Sequence, residues 1–404
     1  MVKIFGTFGP NCKEQETLEA MIEEGLTGMR VNLSHTTLQG CKDKLDNYRA
    51  ACEAKGVEPT ILVDMHGPQM RTGWLHHQVS VAPDDLLILR AKKGKGEEYP
   101  IVNVAPVFLE SMEVGDQIAV RDGEIQLEVV EELPLMELPP KETDVQAEEE
   151  GDLEESAKDS SEEETVPEEK EEEETEKEET TQEEQEEPAE EETGEERIGK
   201  RKQFLCRCLR GGTIRAQQTV KIKGKEVYGD VLTMGDMETL DLVAEYGVNC
   251  VMQPFVRDGE DIRIVREALL ERGLQVRIFA KIETLTGLSN LDSIIEEADE
   301  VVIARGDLGN SMPLWELARV QKEISDKCLA AGRDFMVVTQ MLQSMMRNIY
   351  PTRAEVSDIF HAVTDGASSV MVTGETSVGA HPVEVIRFLA RTVKEAEKYL
   401  GRDV

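Results

Sequence analysis

The sequence predicts an α/β fold, a (β/α)8 TIM-type barrel with a small β-rich lid domain inserted after strand 3. Three observations predict it. Eight short apolar strands alternate with amphipathic helical stretches along the 404 residues. The strands read as buried on both faces, which is how parallel strands covered by helices read. One long interruption, after the third strand, is instead rich in β-type segments. A doubly wound sheet is the alternative, but it more often has five to seven strands.

The elements follow in order. "KIFGT" leads into an amphipathic stretch from Glu14 to Glu24, closed by Gly25. "GMRVNL" precedes a helix over 38–54, and "TILVDM" precedes the interruption and then a helix over 235–246. "NCVMQP" is followed by 259–272, "VRIFAK" by 285–297, and "EVVIA" by 313–331. "DFMVVT" is followed by 353–365 and "SSVMVT" by 382–399. Val356, Ile359, Phe360 and Val363 show the i, i+3, i+4, i+7 spacing of a buried helix face. Thr352 with Glu355 three residues on is a capping box that opens that helix.

Residues 1–70 and 225–404 are read as the discontinuous barrel, and 71–224 as the β-rich lid. Within the lid, "VSVAPDDLLILRA", "DQIAVRDGEIQLEVVEE" and "QFLCRCLRGGTI" are strand-like, with turns at Asp122-Gly123 and Gly211-Gly212. Residues 142–197 are of low complexity and nearly devoid of large apolar side chains. Such a segment cannot bury enough surface to offset the entropy of ordering, so it reads as a disordered insertion in the lid.

Charge is concentrated in that insertion. Residues 142–196 hold 30 Asp/Glu against three Lys, −27 of a formal −38, so the remainder is only mildly acidic at −11. Nothing here suggests a nucleic-acid binder. Seven cysteines, an odd count without a zinc-spaced CxxC pair, fit reduced thiols in the cytoplasm. Cys206-x-Cys208 reads as one face of a strand. No signal-peptide core opens the chain and no apolar stretch approaches ~18 residues, so neither secretion nor a membrane is expected.

In such barrels chemistry sits at the C-terminal strand ends. Strand 2 ends on Arg30, Asn32, Ser34 and His35; strand 3 on Asp64, with Arg71 just beyond. Strand 5 ends on Lys281 and Glu283, strand 6 on Asp307, strand 7 on Thr339 and Gln340, strand 8 on Thr373 and Glu375. A lone Lys–Glu pair is ordinarily a solvated strand end, Arg30 can simply pair with Asp64, and Asp307 can simply cap a helix. Together they form a rim of carboxylates and cations. Glu283 and Asp307 suit Mg²⁺, which takes one or two carboxylates plus substrate phosphate. Lys281, Arg30 and Arg71 supply positive charge for a transferring phosphoryl group. The Gly-flanked turn "ARGDLGNS" offers backbone N–H groups to an anion. His66, His76 and His77 lack zinc spacing and read as surface residues.

The segments "RVNLSH", "VDMHGPQMRTG", "FAKIE", "VIARGDLG", "TQMLQSM", "PTRAEVSD" and "VTGET" come in the order and spacing of pyruvate kinases. The chain resembles that family from "TFGPN" to its last helix, most weakly over 75–225. The resemblance implies a glycolytic phosphotransferase passing phosphate from phosphoenolpyruvate to ADP, giving pyruvate and ATP. It implies Mg²⁺ (or Mn²⁺) at Glu283 and Asp307, with K⁺ a further candidate at Asn32, Ser34, Asp64 and the Met65 carbonyl. Lys281 and Arg30 would steady the phosphoryl group. Gly306, Asp307 and Thr339 would contact substrate, with Thr339 near the carbon that is protonated. His35 and Arg71 would face the nucleotide. A homo-oligomer is compatible with it.

The chain departs from the family pattern in several places. "DTKGPEIR" becomes "DMHGPQMR", placing Met65, His66 and Gln69 where Thr, Lys and an acid are expected. Pro254 replaces a Ser, and Gln217-Gln218 replace a Lys pair on the nucleotide side. The family's C-terminal effector domain is not expected after the eighth helix, and regulation of that kind is not carried over as an expectation. Two other readings share the rim: a metal-dependent oxo-acid lyase or aldolase, and a non-catalytic phosphoenolpyruvate-binding protein. Lys281 and Arg30 favour phosphoryl transfer; the altered nucleotide side keeps the lyase open.

Overall fold

The structure is a computed structural model that describes residues 1–34, 36–73, 75, 77–91, 99–121, 123–134 and 202–402. The acidic segment 142–197, His35 and His76 lie outside the described residues. Three strands open the chain: β1 Lys3–Thr7, β2 Gly28–Asn32 and β3 Ile61–Asp64. The inserted strands follow: β4 Val79–Val81, β5 Leu86–Arg90, β6 Ile101–Asn103, β7 Gln117–Val120, β8 Ile125–Leu133, β9 Gln203–Arg210, β10 Gly212–Ile214 and β11 Val220–Ile222. The last five are β12 Cys250–Gln253, β13 Arg277–Ile282, β14 Glu300–Ala304, β15 Asp334–Val338 and β16 Ser369–Met371.

β1, β16, β15, β14, β13, β12, β3 and β2 close a parallel barrel in that order. Closure runs through β1, where Phe5 lies opposite Gly28 of β2 and Lys3 opposite Ser369 of β16. Each strand's period of two sorts its side chains. Phe5, Leu62, Met252, Phe279, Val302, Met336 and Met371 fill the barrel. Met29, Val31, Ile278, Ala280, Ile282 and Val337 belong to the layer between strands and helices. Phe5 and Phe279 meet edge to face at 6.4 Å. Gly28 makes this possible: a Cβ there would lie 2.4 Å from the Phe5 ring.

The helices depart from expectation where local chemistry intervenes. The stretch 285–297 is two helices, Leu285–Ser289 and Leu291–Glu297. Thr284 caps the first, and at the break the Asn290 amide donates to the Arg257 carbonyl instead of continuing the pattern. The stretch 313–331 begins as a tighter turn over Leu314–Glu316, after Pro313, before the helix Leu317–Ala330. The capping box at Thr352 and Glu355 forms as its spacing predicts.

Between β3 and β12, strands β11, β7, β8, β9, β5 and β6 form a six-stranded sheet, and β10 pairs with β4. Leu127, Val129, Phe204, Cys206 and Cys208 share its buried face with Phe108. Cys206-x-Cys208 is thus one face of a strand, and burial pushes the Cys206 thiol up to about 12. All seven cysteines are free and buried.

β8 and β9 pair antiparallel with Leu133 opposite Gln203, so the chain between them leaves and returns at adjacent points. Deleting 142–197 is therefore expected to leave the melting transition and turnover nearly unchanged, because closure cost changes slowly with loop length. Calorimetry on the deletion variant checks this. Loss of a cooperative transition would mean that the segment contributes to the core.

Candidate active site

The inward period of two does not stop at the barrel's hydrophobic fill. On β13 it runs from Phe279 to Lys281 and on to Glu283, just past the strand. On β3 it runs from Leu62 to Asp64, and on β2 from Gly28 to Arg30 and Asn32. The same alternation that packs the barrel thus delivers charge to its C-terminal mouth. Arg30, Asn32, Asp64, Lys281, Glu283, Asp307 and Thr339 line one cleft of about 660 Å³.

These charges are paired and largely out of water. Lys281 Nζ lies 2.9 Å from Glu283 Oε1 and 3.5 Å from Asp64 Oδ2. The Lys281 side chain is 14% exposed and Glu283's is 2%. The Arg30 guanidinium donates twice to Asp64 Oδ2, from Nε at 2.8 Å and from Nη2. Its Nη1 reaches Thr7 Oγ1 at 3.4 Å. The solvated-pair reading of Lys281 and Glu283 therefore fails, while the Arg30–Asp64 pair exists and is itself part of the cleft.

Burial would lower the Lys281 pKa, but the Asp64 and Glu283 charges outweigh it and hold the ammonium above the usual lysine range. The Glu283 pKa is raised as well: burial lifts it, Lys281 opposes this, and the like charge of Asp307 adds to the rise. Both rises are compatible, since Lys281 has two carboxylate neighbours and Glu283 is buried beside a carboxylate competitor. Glu283 Oε2 also accepts the Phe255 backbone N–H at 2.8 Å.

Asp307 sits in the short helix Arg305–Asn310 that follows β14. Ser311 Oγ donates towards the carbonyls of both Glu283 and Asp307, at 3.2 Å each, tying the two segments together. Thr339 is strained: φ is +74°, a rare value for a β-branched residue. Arg305 holds it there, donating to the Thr339 carbonyl at 2.7 and 3.2 Å while its Nη1 forks onto the Asp358 carboxylate. Thr339 Oγ1 is buried without a hydrogen-bond partner, as is Asp64 Oδ1. Gly306 lies against this residue; a Cβ there would stand 3.6 Å from Thr339 Cγ2.

The remaining candidates are less central. Asn32 Oδ1 accepts the Ser34 N–H at 3.2 Å, and Ser34 Oγ faces Arg71 Nη2 at 3.2 Å. Met65 is buried and its N–H bonds the Met252 carbonyl. Arg71 also donates to Gln69 Oε1 and the Gln217 carbonyl. His66 is tied to Asp236 rather than to the cleft. Glu375 is buried, accepting from Thr373 and Leu342 N–H groups, so it shapes the loop after β16.

Two participants escape a reading by strand ends. Lys44 lines the cleft from the helix Lys42–Lys55. Lys221, on β11, reaches Asp307 Oδ1 at 3.1 Å. The only trace of Lys221 in sequence is the alternation "TVKIKGK".

Among the described residues no three His, Cys, Asp or Glu side chains converge as a self-sufficient metal cage. The donor set is the carboxylate pair Glu283 and Asp307, which fits an ion that completes its shell with water and substrate oxygens. The orphaned Asp64 Oδ1 beside Asn32 fits a cation ligand as well.

A closed parallel barrel with paired charges gathered at the C-terminal ends of its strands defines a protein of the (β/α)8 barrel class, whose chemistry sits at that mouth. Comparison with known proteins sharpens this. Residues 1–161 and 195–386 match the family described as "Pyruvate kinase, barrel domain". The pyruvate kinase of Thermotoga maritima is 30% identical over 399 residues, covering 98% of this chain and 71% of that protein. The Lachancea kluyveri enzyme is 30% identical over 405 residues, covering 98% and 67%. A crystal structure of Cryptosporidium parvum pyruvate kinase superposes with a TM-score of 0.73 at 25% identity, covering 98% of this chain and 70% of that one. The chain belongs to the pyruvate kinase family and is a phosphotransferase. No helix among the described residues is long and apolar enough to cross a membrane.

Proposed function

We propose that the cleft transfers the phosphoryl group of phosphoenolpyruvate to ADP with Lys281 and Arg30 as its fixed cations. The observation that carries this is the buried Lys281–Glu283–Asp64–Arg30 cluster at the barrel mouth. Glu283 and Asp307 would hold Mg²⁺ or Mn²⁺, which would supply positive charge to an anionic substrate. Lys281 is preorganised for the same charge: it stays an ammonium through neutral pH and is fixed by two carboxylates, so no reorganisation is needed as the P–O bond breaks. Arg30 is steadied by Asp64, which leaves Nη1 turned towards Thr7 and the cleft. Thr339, with its unpartnered hydroxyl, and Gly306 face the enolate left behind. That enolate takes a proton at its methylene carbon to give pyruvate. Asn32, Ser34, Asp64 and the Met65 carbonyl form the monovalent-cation position, and Arg71 serves the nucleotide side with His35, which lies outside the described residues. Barrel 1–70 with 225–404 carries the chemistry, and 71–224 acts as the lid that excludes water. A cytoplasmic, glycolytic setting follows from this reading. A coupled assay with phosphoenolpyruvate, ADP and Mg²⁺ tests it; absence of pyruvate formation would overturn it.

The monovalent site makes a separate prediction. Gln69 Oε1 accepts from Arg71 Nη2 at 2.9 Å, and the same nitrogen donates to Ser34 Oγ. A fixed guanidinium thus stands beside a hydroxyl assigned to K⁺, and the side chain next to it carries no charge to offset a second cation. Activation by K⁺ is expected to be weak, well under about tenfold, the factor that 1.4 kcal/mol of differential binding would give. Titrating KCl against NaCl at constant ionic strength checks this. A large, saturable response specific to K⁺ would count against it.

A further inference from the structure

We propose that Lys221 is a tethered cation that competes with a divalent ion for the Asp307 carboxylate and must be displaced before that ion can load. This rests on the assignment of Glu283 and Asp307 as the metal carboxylates.

Three observations converge on it. β11 is an edge strand whose alternation buries Val220 and Ile222 in the inserted sheet, so Lys221 projects from the opposite face. Its Nζ lies 3.1 Å from Asp307 Oδ1 on the barrel. The same ammonium stands 5.6 Å over the Phe255 ring, whose backbone N–H is bonded to Glu283. Lys221 is therefore paired directly with Asp307 and rests against the ring of the residue whose backbone N–H holds Glu283. Phe255 itself has φ +51°, a left-handed value for a bulky residue, so the ring is held in place at some cost in strain.

Glu283 and Asp307 repel each other, and burial leaves Glu283 poorly solvated. A cation near them lowers that repulsion. Lys281 supplies one at Glu283, and Lys221 supplies another at Asp307 from the inserted sheet. A divalent ion bound to Asp307 puts two like charges where one ammonium stood, and the ammonium has to leave. Loading is thus weakened by the pair that must break, and it frees the β11 contact with the barrel. A plain surface ion pair would have neither consequence.

The test is Mn²⁺ titration of the full chain without substrates, followed by calorimetry or by the electron spin resonance of free Mn²⁺. Lys221→Met is expected to bind Mn²⁺ about three- to tenfold more tightly, the factor one nearby unit charge imposes at a half-exposed site. Lys221→Arg, which keeps the charge, should bind as wild type does. In an Asp307→Asn background Lys221→Met should have no effect. Unchanged or weaker Mn²⁺ binding in Lys221→Met, or equal tightening without Asp307, overturns the proposal. The readout needs no turnover. A wild-type protein that forms no pyruvate sinks the functional reading, while the Mn²⁺ series still decides this one.

Discussion

Lys281→Met is expected to lower turnover by about two to three orders of magnitude, with no rescue by excess Mg²⁺. Methionine keeps most of the packing on the inward face of β13 above Phe279. What it removes is the ammonium between Glu283 and Asp64, at 2.9 and 3.5 Å. Because that charge matters most as the phosphoryl group leaves, kcat should fall more than substrate binding does. Stability should fall too, by roughly 1–3 kcal/mol, less than the usual cost of breaking a buried pair. Two features soften it: Arg30 still holds Asp64, and Glu283, its pKa already lifted by burial, can take a proton. The sign with pH follows from the raised lysine pKa. The pairing contribution is fully present at neutral pH and is lost only as pH climbs through the elevated value in strong alkali. Steady-state rates and melting curves on the variant separate the two effects. Near-normal turnover would return the pair to a structural role.

What the sequence made legible is what depends on period and local chemistry. Eight apolar runs of strand length count the barrel strands, and period two places Lys281 and Glu283 together on one face, as they are. Capping chemistry at Thr352 is equally local. The illegible parts depend on tertiary approach. Asn290 breaks a helix because the Arg257 carbonyl comes within 3.0 Å, and no spacing rule encodes that neighbour. Arg305 reads as an ordinary basic residue of "ARGDLG", yet it joins Asp358 to the strained Thr339 carbonyl across 53 and 34 positions. That one clamp links three of the motifs that carry the family resemblance. Lys221 was invisible for the same reason: it belongs to a strand of the inserted sheet, and its partner lies 86 residues away. Cysteines show the converse, since alternation alone placed Cys206 and Cys208 on the buried face.

Glu283→Gln should fail in a different way from Lys281→Met. The amide preserves size and can still accept the Phe255 N–H, but it offers a metal ion no charge. The apparent affinity for Mg²⁺ is expected to drop by at least about tenfold, with turnover partly restored at high Mg²⁺. Asp307 remains as a charged ligand and Lys281 keeps its pairing with Asp64, which is why the defect is one of loading rather than of the charge that meets the phosphoryl group. Folding stability should change by under about 2 kcal/mol: a Lys281 pair is lost, but so are the burial of a carboxylate and its repulsion by Asp307. Rates measured across an Mg²⁺ series, with wild type and Lys281→Met alongside, give the comparison. A wild-type Mg²⁺ dependence in Glu283→Gln would remove this residue from the metal site. A deep loss that excess Mg²⁺ leaves untouched would instead place its charge, like that of Lys281, in the transfer step itself.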